Sequence, residues 1–190
     1  MGIKIAILGW GSLLWDRHAE FDAQHEDWLF DGPRLKLEFS RVSESRKQAL
    51  TLVIDANNGA LCRVAYAFSK RGNPENTICD LMSRERTKRE NIGFYFLDGS
   101  RHQSRDPEAT EKISTWARSK EIEVVVWTDL SSNFKEDSPC GQDFSVKTAI
   151  AHVAALGADG RVKAAEYVWR APDFVDTPLR RALQGPPWFP

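Results

Sequence analysis

The sequence predicts an α+β protein, and three observations lead there. Short apolar or alternating runs that read as strands crowd the first 68 residues. Helices with clear start signals then mix with two further strands. No regular strand–helix–strand alternation runs through the chain, which argues against a doubly wound parallel sheet. At 190 residues, one domain is the default expectation.

Residues 3–8 (IKIAIL) form a short apolar run ended by Gly9 and read as a buried strand. Leu35, Leu37 and Phe39 alternate with Lys36, Glu38 and Ser40, the period-two pattern of a half-buried strand. Residues 49–55 and 61–68 are two more strands, joined by Ala56-Asn57-Asn58-Gly59, whose Asn-Gly pair tolerates the positive φ of a tight turn. Residues 93–98 and 122–129 complete the strands. Asn73 before Pro74 gives an N-cap followed by proline at the first helical position, and Asp106-Pro107 repeats the device. Val146, Ala149, Ile150 and Val153 make an apolar stripe, with Gly157 suited to the residue just past that helix. Asp176-Thr177-Pro178 opens a short last helix. In the tail after it, Trp188 and Phe189 are expected to fold back on the core.

Composition excludes several classes. The formal net charge is −1, a poor match for a nucleic-acid or anionic-membrane binder. With 42% hydrophobic residues and seven Trp, the chain has ample material for a core. Cys62, Cys79 and Cys140 are an odd count without close spacing, which fits buried thiols in a reducing compartment rather than a disulfide framework. No run approaches the 18 or so apolar residues of a membrane span. Residues 1–14 show no charged leader, and Ala6 stands where a myristoylation signal wants Ser or Thr. A cytoplasmic protein is expected; its oligomeric state is not readable.

Two places carry chemistry. The first is Gly9-Trp10-Gly11-Ser12-Leu13-Leu14-Trp15, directly after the first strand. A glycine-rich turn there can aim successive backbone N–H groups at one spot and hold a carboxylate or phosphate. A plain tight turn is the bland alternative. A dinucleotide fingerprint would need a third glycine where Leu14 stands.

The second place is the helix that starts at Asn73. Ile78, Leu81, Met82 and Glu85 follow the i, i+3, i+4, i+7 spacing of one stripe, so Glu85 stands where the next core residue belongs. A carboxylate facing the interior is costly unless paired or used, and burial suits it to carry a proton near neutral pH. Pairing with Lys88 or Arg89, at i+3 and i+4, is the other reading. Glu90 lies off the stripe and reads as solvated, as does the surrounding Arg84–Arg89 cluster. His18, His25, His102 and His152 lack metal-ligand spacing and read as surface residues, so no metal is expected. No Ser, Cys or Thr sits in a nucleophile motif.

Together these places resemble the gamma-glutamylcyclotransferase family, particularly its ChaC-like branch. The turn at residues 9–15 is similar to the family's G-Y-G-S-L-x-W signature, and Leu81-Met82-Ser83-Arg84-Glu85 to its L-x-x-R-E segment. Ser43 and Arg46, then Leu50-Thr51-Leu52-Val53, then Val64-Ala65-Tyr66, follow the family's S-x-x-R, T-L-V and V-A-Y stretches in order. The match covers roughly residues 3–98. Trp10 replaces the family's Tyr, an R-G-T-P-E type segment is missing after Arg46, and Gly93-Phe94-Tyr95 arrives late. Aligned on that last pattern, Glu90 rather than Glu85 would match the catalytic glutamate.

The resemblance implies a small mixed β-barrel flanked by helices and a reaction without a cofactor. In it, the α-amine of a γ-glutamyl compound attacks its own γ-carbonyl and releases 5-oxoproline with an amine or peptide. Glu85 would be the catalytic base, the turn at Gly11, Ser12 and Leu13 would grip anionic oxygen, and Trp10 and Tyr95 would wall the pocket. The expected partner is a small γ-glutamyl substrate, either glutathione or a γ-glutamyl amino acid or amine, with no nucleic acid and no membrane. A non-catalytic protein that binds a carboxylate-bearing metabolite on the same fold is the alternative.

Overall fold

The computed structural model describes residues 2–139 and 141–190. In chain order it contains β1 (Ile5–Gly9), α1 (Ala19–Asp22), β2 (Arg34–Ser43), β3 (Ala49–Ile54), β4 (Ala60–Arg63) and β5 (Ala65–Phe68). Then come α2 (Pro74–Glu85), β6 (Ile92–Phe96), β7 (His102–Gln103), α3 (Pro107–Ser119) and β8 (Val124–Thr128). The chain finishes with α4 (Phe134–Asp137), α5 (Val146–Ala155), α6 (Ala158–Arg170) and α7 (Pro178–Leu183). The α+β class holds. The strands form two open sheets, of five and three strands, and not the closed barrel the resemblance implies. The fold groups into two compact units, each assembled from two segments.

The first unit comprises Met1–Leu35 and Arg63–Leu130. Its sheet runs β5-β1-β8-β6-β7, with β1 parallel to β8 and antiparallel to β5, and β6 antiparallel to both β8 and β7. β1 is buried along its whole length, as a central strand covered on both faces must be. Side chains alternate across the sheet. Ile5, Ile7, Val124, Val126, Ile92 and Phe94 form a core with Phe21 and with Ile78 and Leu81 of α2. Burying each of the two α2 side chains contributes about 1.5–3 kcal/mol. On the opposite face, Trp116 of α3 packs edge-on against Tyr66 at 4.8 Å. Gly93 lies directly against Trp127 there, leaving no space for a side chain. Asn73 and Asp106 cap α2 and α3 as expected, accepting from the Glu75 and Ala109 amides.

The second unit comprises Lys36–Cys62 and Ser131–Pro190. Its sheet runs β3-β2-β4, so β3 and β4 flank β2 and do not pair as a hairpin. The connection also avoids the positive φ that Asn-Gly suggested. The Asp55 carboxylate accepts from the Asn57 and Asn58 amides at 3.1 and 2.9 Å, and the Gly59 amide returns to the Asp55 carbonyl at 2.9 Å. Glycine is required at 59 because a Cβ would lie 2.5 Å from that carbonyl oxygen.

Glu38 and Ser40 are buried, contrary to the period-two expectation, because β2 is covered on both faces there, and a register shift between Glu38 and Arg41 further breaks its alternation. The Glu38 carboxylate accepts from the Phe39 amide at 2.8 Å and the Leu179 amide at 3.3 Å, at the start of α7. Burial pushes its pKa up, against the opposing pull of the Thr177 hydroxyl and these amides. Gly157 lies just past the α5 C-cap Leu156, as expected, but with φ −60° it is not a left-handed cap and serves as the N-cap of α6. Phe189 is buried against Trp169, as the tail expectation has it, whereas Trp188 stays exposed.

Cys62 is buried and Cys79 is exposed on α2, so the expectation of buried thiols fails for Cys79. Cys140 lies outside the described residues. No helix among the described residues is long and apolar enough to cross a membrane.

Candidate active site

β1 delivers the glycine turn at its carboxyl end. Glycine is needed at 9 because a Cβ there would lie 2.8 and 2.9 Å from the six-membered ring of Trp28. Trp10, Gly11 and Ser12 are buried. Ser12–Leu14 form a 3-10 turn, closed by the Leu14 amide donating to the Gly11 carbonyl at 3.0 Å and the Asp16 amide to the Ser12 carbonyl at 2.8 Å. The leading N–H groups of such a turn, those of Gly11, Ser12 and Leu13, have no acceptor within it.

Against this turn lies the end of α2. Glu85 is its last residue. Arg86 then adopts the left-handed conformation (φ 48°), and its amide returns to the Ser83 carbonyl at 3.2 Å. The Glu85 side chain is 18% exposed and that of Arg84 only 10%. Arg84 spans the two motifs. Its Nη2 donates to the Asp16 carbonyl at 2.9 Å and the Ser12 carbonyl at 3.3 Å, and lies 3.8 Å from the Asp16 carboxylate. Its Nη1 lies 3.8 Å from Glu85 Oε1. The sequence places Arg84 on a solvated face, but it is nine-tenths buried. The available signal was its position three residues beyond the buried Leu81, on the edge of the apolar stripe.

Glu90 is exposed, as its off-stripe position suggests. Arg89 reaches across to Glu75 at 2.9 Å.

Tyr95 is not brought to this place. It alternates with Phe94 and Phe96, which face α2, so it points to the other side of the sheet. Trp10, Gly11, Ser12, Leu13 and Glu85 remain as the residues whose elements converge.

The sequence also misplaces two histidines. His152 is buried in the second unit, with Nε2 2.8 Å from the Gln48 carbonyl. His25 is buried in the first unit, its ring 5.0 Å from those of Phe21 and Trp28. Its Nδ1 lies 2.6 Å from the Glu26 carbonyl, which can only accept, so that nitrogen carries a proton. His25 borders a cavity of 410 Å³ that shares Leu14 with the glycine turn; Glu85 is not among its walls.

At the carboxyl end of β8, Asp129 accepts from the Arg105 amide at 2.6 Å and the Trp127 indole N–H at 3.2 Å. Burial raises its pKa in spite of both bonds. Among the described residues no group of three or more His, Cys, Asp or Glu side chains is placed to hold a metal ion.

Compared with known proteins, the chain matches no family model and no curated sequence.

Proposed function

We propose that this chain is a gamma-glutamylcyclotransferase-like enzyme that converts a γ-glutamyl amide to 5-oxoproline. The observation that supports this most is the Arg84 bridge. Two motifs some 70 positions apart, each resembling a family signature, meet because one guanidinium holds the Ser12 and Asp16 carbonyls beside Glu85. The proposal rests on these motifs and not on a barrel.

The chemistry follows from the groups at hand. The substrate α-amine attacks its own γ-carbonyl, so the protein's task is to fold the glutamyl arm into an attack geometry. As the new C–N bond forms, Glu85 accepts the amine proton. As the γ-amide C–N bond breaks, Glu85 returns a proton to the leaving nitrogen. The amides of Gly11, Ser12 and Leu13 stabilise the carboxylate or the developing oxyanion. Trp10 supplies an apolar wall that excludes competing water. Tyr95, on the far face of the sheet, has no part in this scheme. The substrate is glutathione or a γ-glutamyl amino acid or amine, and the scheme needs no cofactor.

The ion-pair distance between Arg84 and Glu85 also fits a second reading, in which Glu85 serves structure and the turn merely binds a carboxylate-bearing metabolite. Assaying 5-oxoproline release from glutathione, several γ-glutamyl amino acids and a γ-glutamyl amine separates the two. Release from at least one compound is the expected result. Saturable binding without release from any compound would favour the binding protein.

A further inference from the structure

The turn between β3 and β4 places Gly59 after Asn58, and that dipeptide has a reaction of its own. The Gly59 main-chain nitrogen can attack the Asn58 side-chain carbonyl carbon. The new C–N bond closes a succinimide ring, the bond to Nδ2 breaks, and ammonia leaves with the proton that the Gly59 nitrogen gives up. Water then opens the ring at either carbonyl, giving aspartate or isoaspartate. The attack is intramolecular and so depends on geometry, and glycine favours it because no Cβ stands in the way. Asn58 is exposed, so water and base reach it freely.

Three contacts oppose that geometry, and Asp55 takes part in each. The Gly59 N–H donates to the Asp55 carbonyl at 2.9 Å, so the proton that must leave is held. Asn58 Nδ2 lies 3.2 Å from each Asp55 carboxylate oxygen, and the Asn58 main-chain amide donates to Oδ1 at 2.9 Å, which ties the side chain down. The Gly59 α-carbon is wedged against main chain: a Cβ there would lie 2.5 Å from the Asp55 carbonyl oxygen, 2.7 Å from the Lys36 carbonyl carbon and 2.8 Å from the Leu37 nitrogen. The Gly59 nitrogen therefore cannot swing onto the Asn58 side chain while these contacts stand. Asp55 itself is buried at the end of β3.

We propose that Asn58 is a latent deamidation site that Asp55 keeps closed: the folded turn is protected, and the opened turn is modified irreversibly. Either product loses the Nδ2 that binds Asp55 and sets a second carboxylate against it, and isoaspartate also puts an extra methylene in the main chain. The turn that carries the chain from β3 to the far side of β2 then cannot reclose as before, so a transient opening becomes a permanent one. The site lies in the second unit and takes no part in the cyclisation scheme.

The test follows Asn58 by peptide mass spectrometry, with isoaspartate and aspartate separated by chromatography, while the full chain is held in mildly alkaline buffer with and without guanidinium chloride. Asn58 is expected to deamidate about tenfold or more slowly in the folded chain than in the unfolded one. Asp55→Ala, with a native circular dichroism spectrum in the same buffer, is expected to deamidate about tenfold faster than the folded wild type. Asp55→Ser falls between, because a serine hydroxyl restores such a turn more weakly. Equal rates at Asn58 in the folded and unfolded wild type would overturn the proposal, whether or not the variants fold. A folded Asp55→Ala chain that deamidates no faster than the wild type would overturn it too.

Discussion

Replacing Arg84 with methionine removes the guanidinium but keeps a long apolar stem of similar bulk. The structure gives the size of the effect. The 2.9 Å bond to the Asp16 carbonyl is a buried, charge-assisted hydrogen bond, the kind that contributes about 1.5–3 kcal/mol. The 3.3 Å bond to Ser12 is weaker, and the Ser12 carbonyl keeps the Asp16 amide at 2.8 Å, so its loss costs little. Against these stands one gain: Arg84 Nε is buried without a hydrogen-bond partner, and removing it recovers about 1 kcal/mol. The net expectation is a loss of about 1 kcal/mol, which for a chain of this length lowers Tm by about 2–4 °C. Arg84→Lys keeps the charge but not the planar fork that reaches both carbonyls, so it falls between. Thermal unfolding followed by far-UV circular dichroism measures all three proteins. A shift below about 1 °C for Arg84→Met, with the native spectrum preserved, would refute the idea that this side chain ties α2 to the glycine turn.

Two further predictions concern the units separately. Gly93→Ala drives a Cβ into the fully buried Trp127 indole in a central strand, where overpacking costs about 3 kcal/mol or more; a urea midpoint within error of wild type would contradict that packing. Glu38 has a pKa raised above its ordinary 4.5, so its stabilising contribution is full below that value and is lost as pH rises through the raised one. Relative to Glu38→Gln, the wild type is therefore expected to lose stability as pH rises above 4.5 in denaturant titrations, and a constant gap would show that Glu38 ionises without penalty.

Much of the first unit was legible in the sequence because its signals are local. The Asn73-Pro74 and Asp106-Pro107 starts encode their helices outright, and the apolar run of residues 3–8 can only be a covered strand. What escaped depends on contacts that no local pattern carries. Both faces of β2 are covered at Glu38 and Ser40, which period-two counting cannot show, and the two-against-one pairing after Glu38 is equally invisible to it. The three-stranded order was hidden because Asn58-Gly59 advertises a hairpin, while the Asp55 carboxylate organises a turn that lets the chain pass to the far side of β2. The pairing of Glu85 with the turn was within reach of the stripe and the motifs together, but Arg84, which joins them, sits one edge away and reads as solvated. Tyr95 was placed by motif order alone, and strand alternation sends it to the other face. His25 was missed because α1 ends at Asp22, so the burial of His25 comes from Phe21 and Trp28 and not from helical periodicity.

The central claim is that Glu85 moves the proton during cyclisation, and its most direct measure is kcat for 5-oxoproline release in Glu85→Gln and Glu90→Gln beside the wild type. Glu85 touches the Arg84 bridge, whereas Glu90 is exposed on the turn before β6. Loss of a positioned acid–base group lowers kcat by about 10²–10⁴-fold. The account predicts that loss in Glu85→Gln, with a native unfolding profile, and near wild-type turnover in Glu90→Gln. Retained activity in Glu85→Gln, or the loss appearing in Glu90→Gln instead, would contradict it.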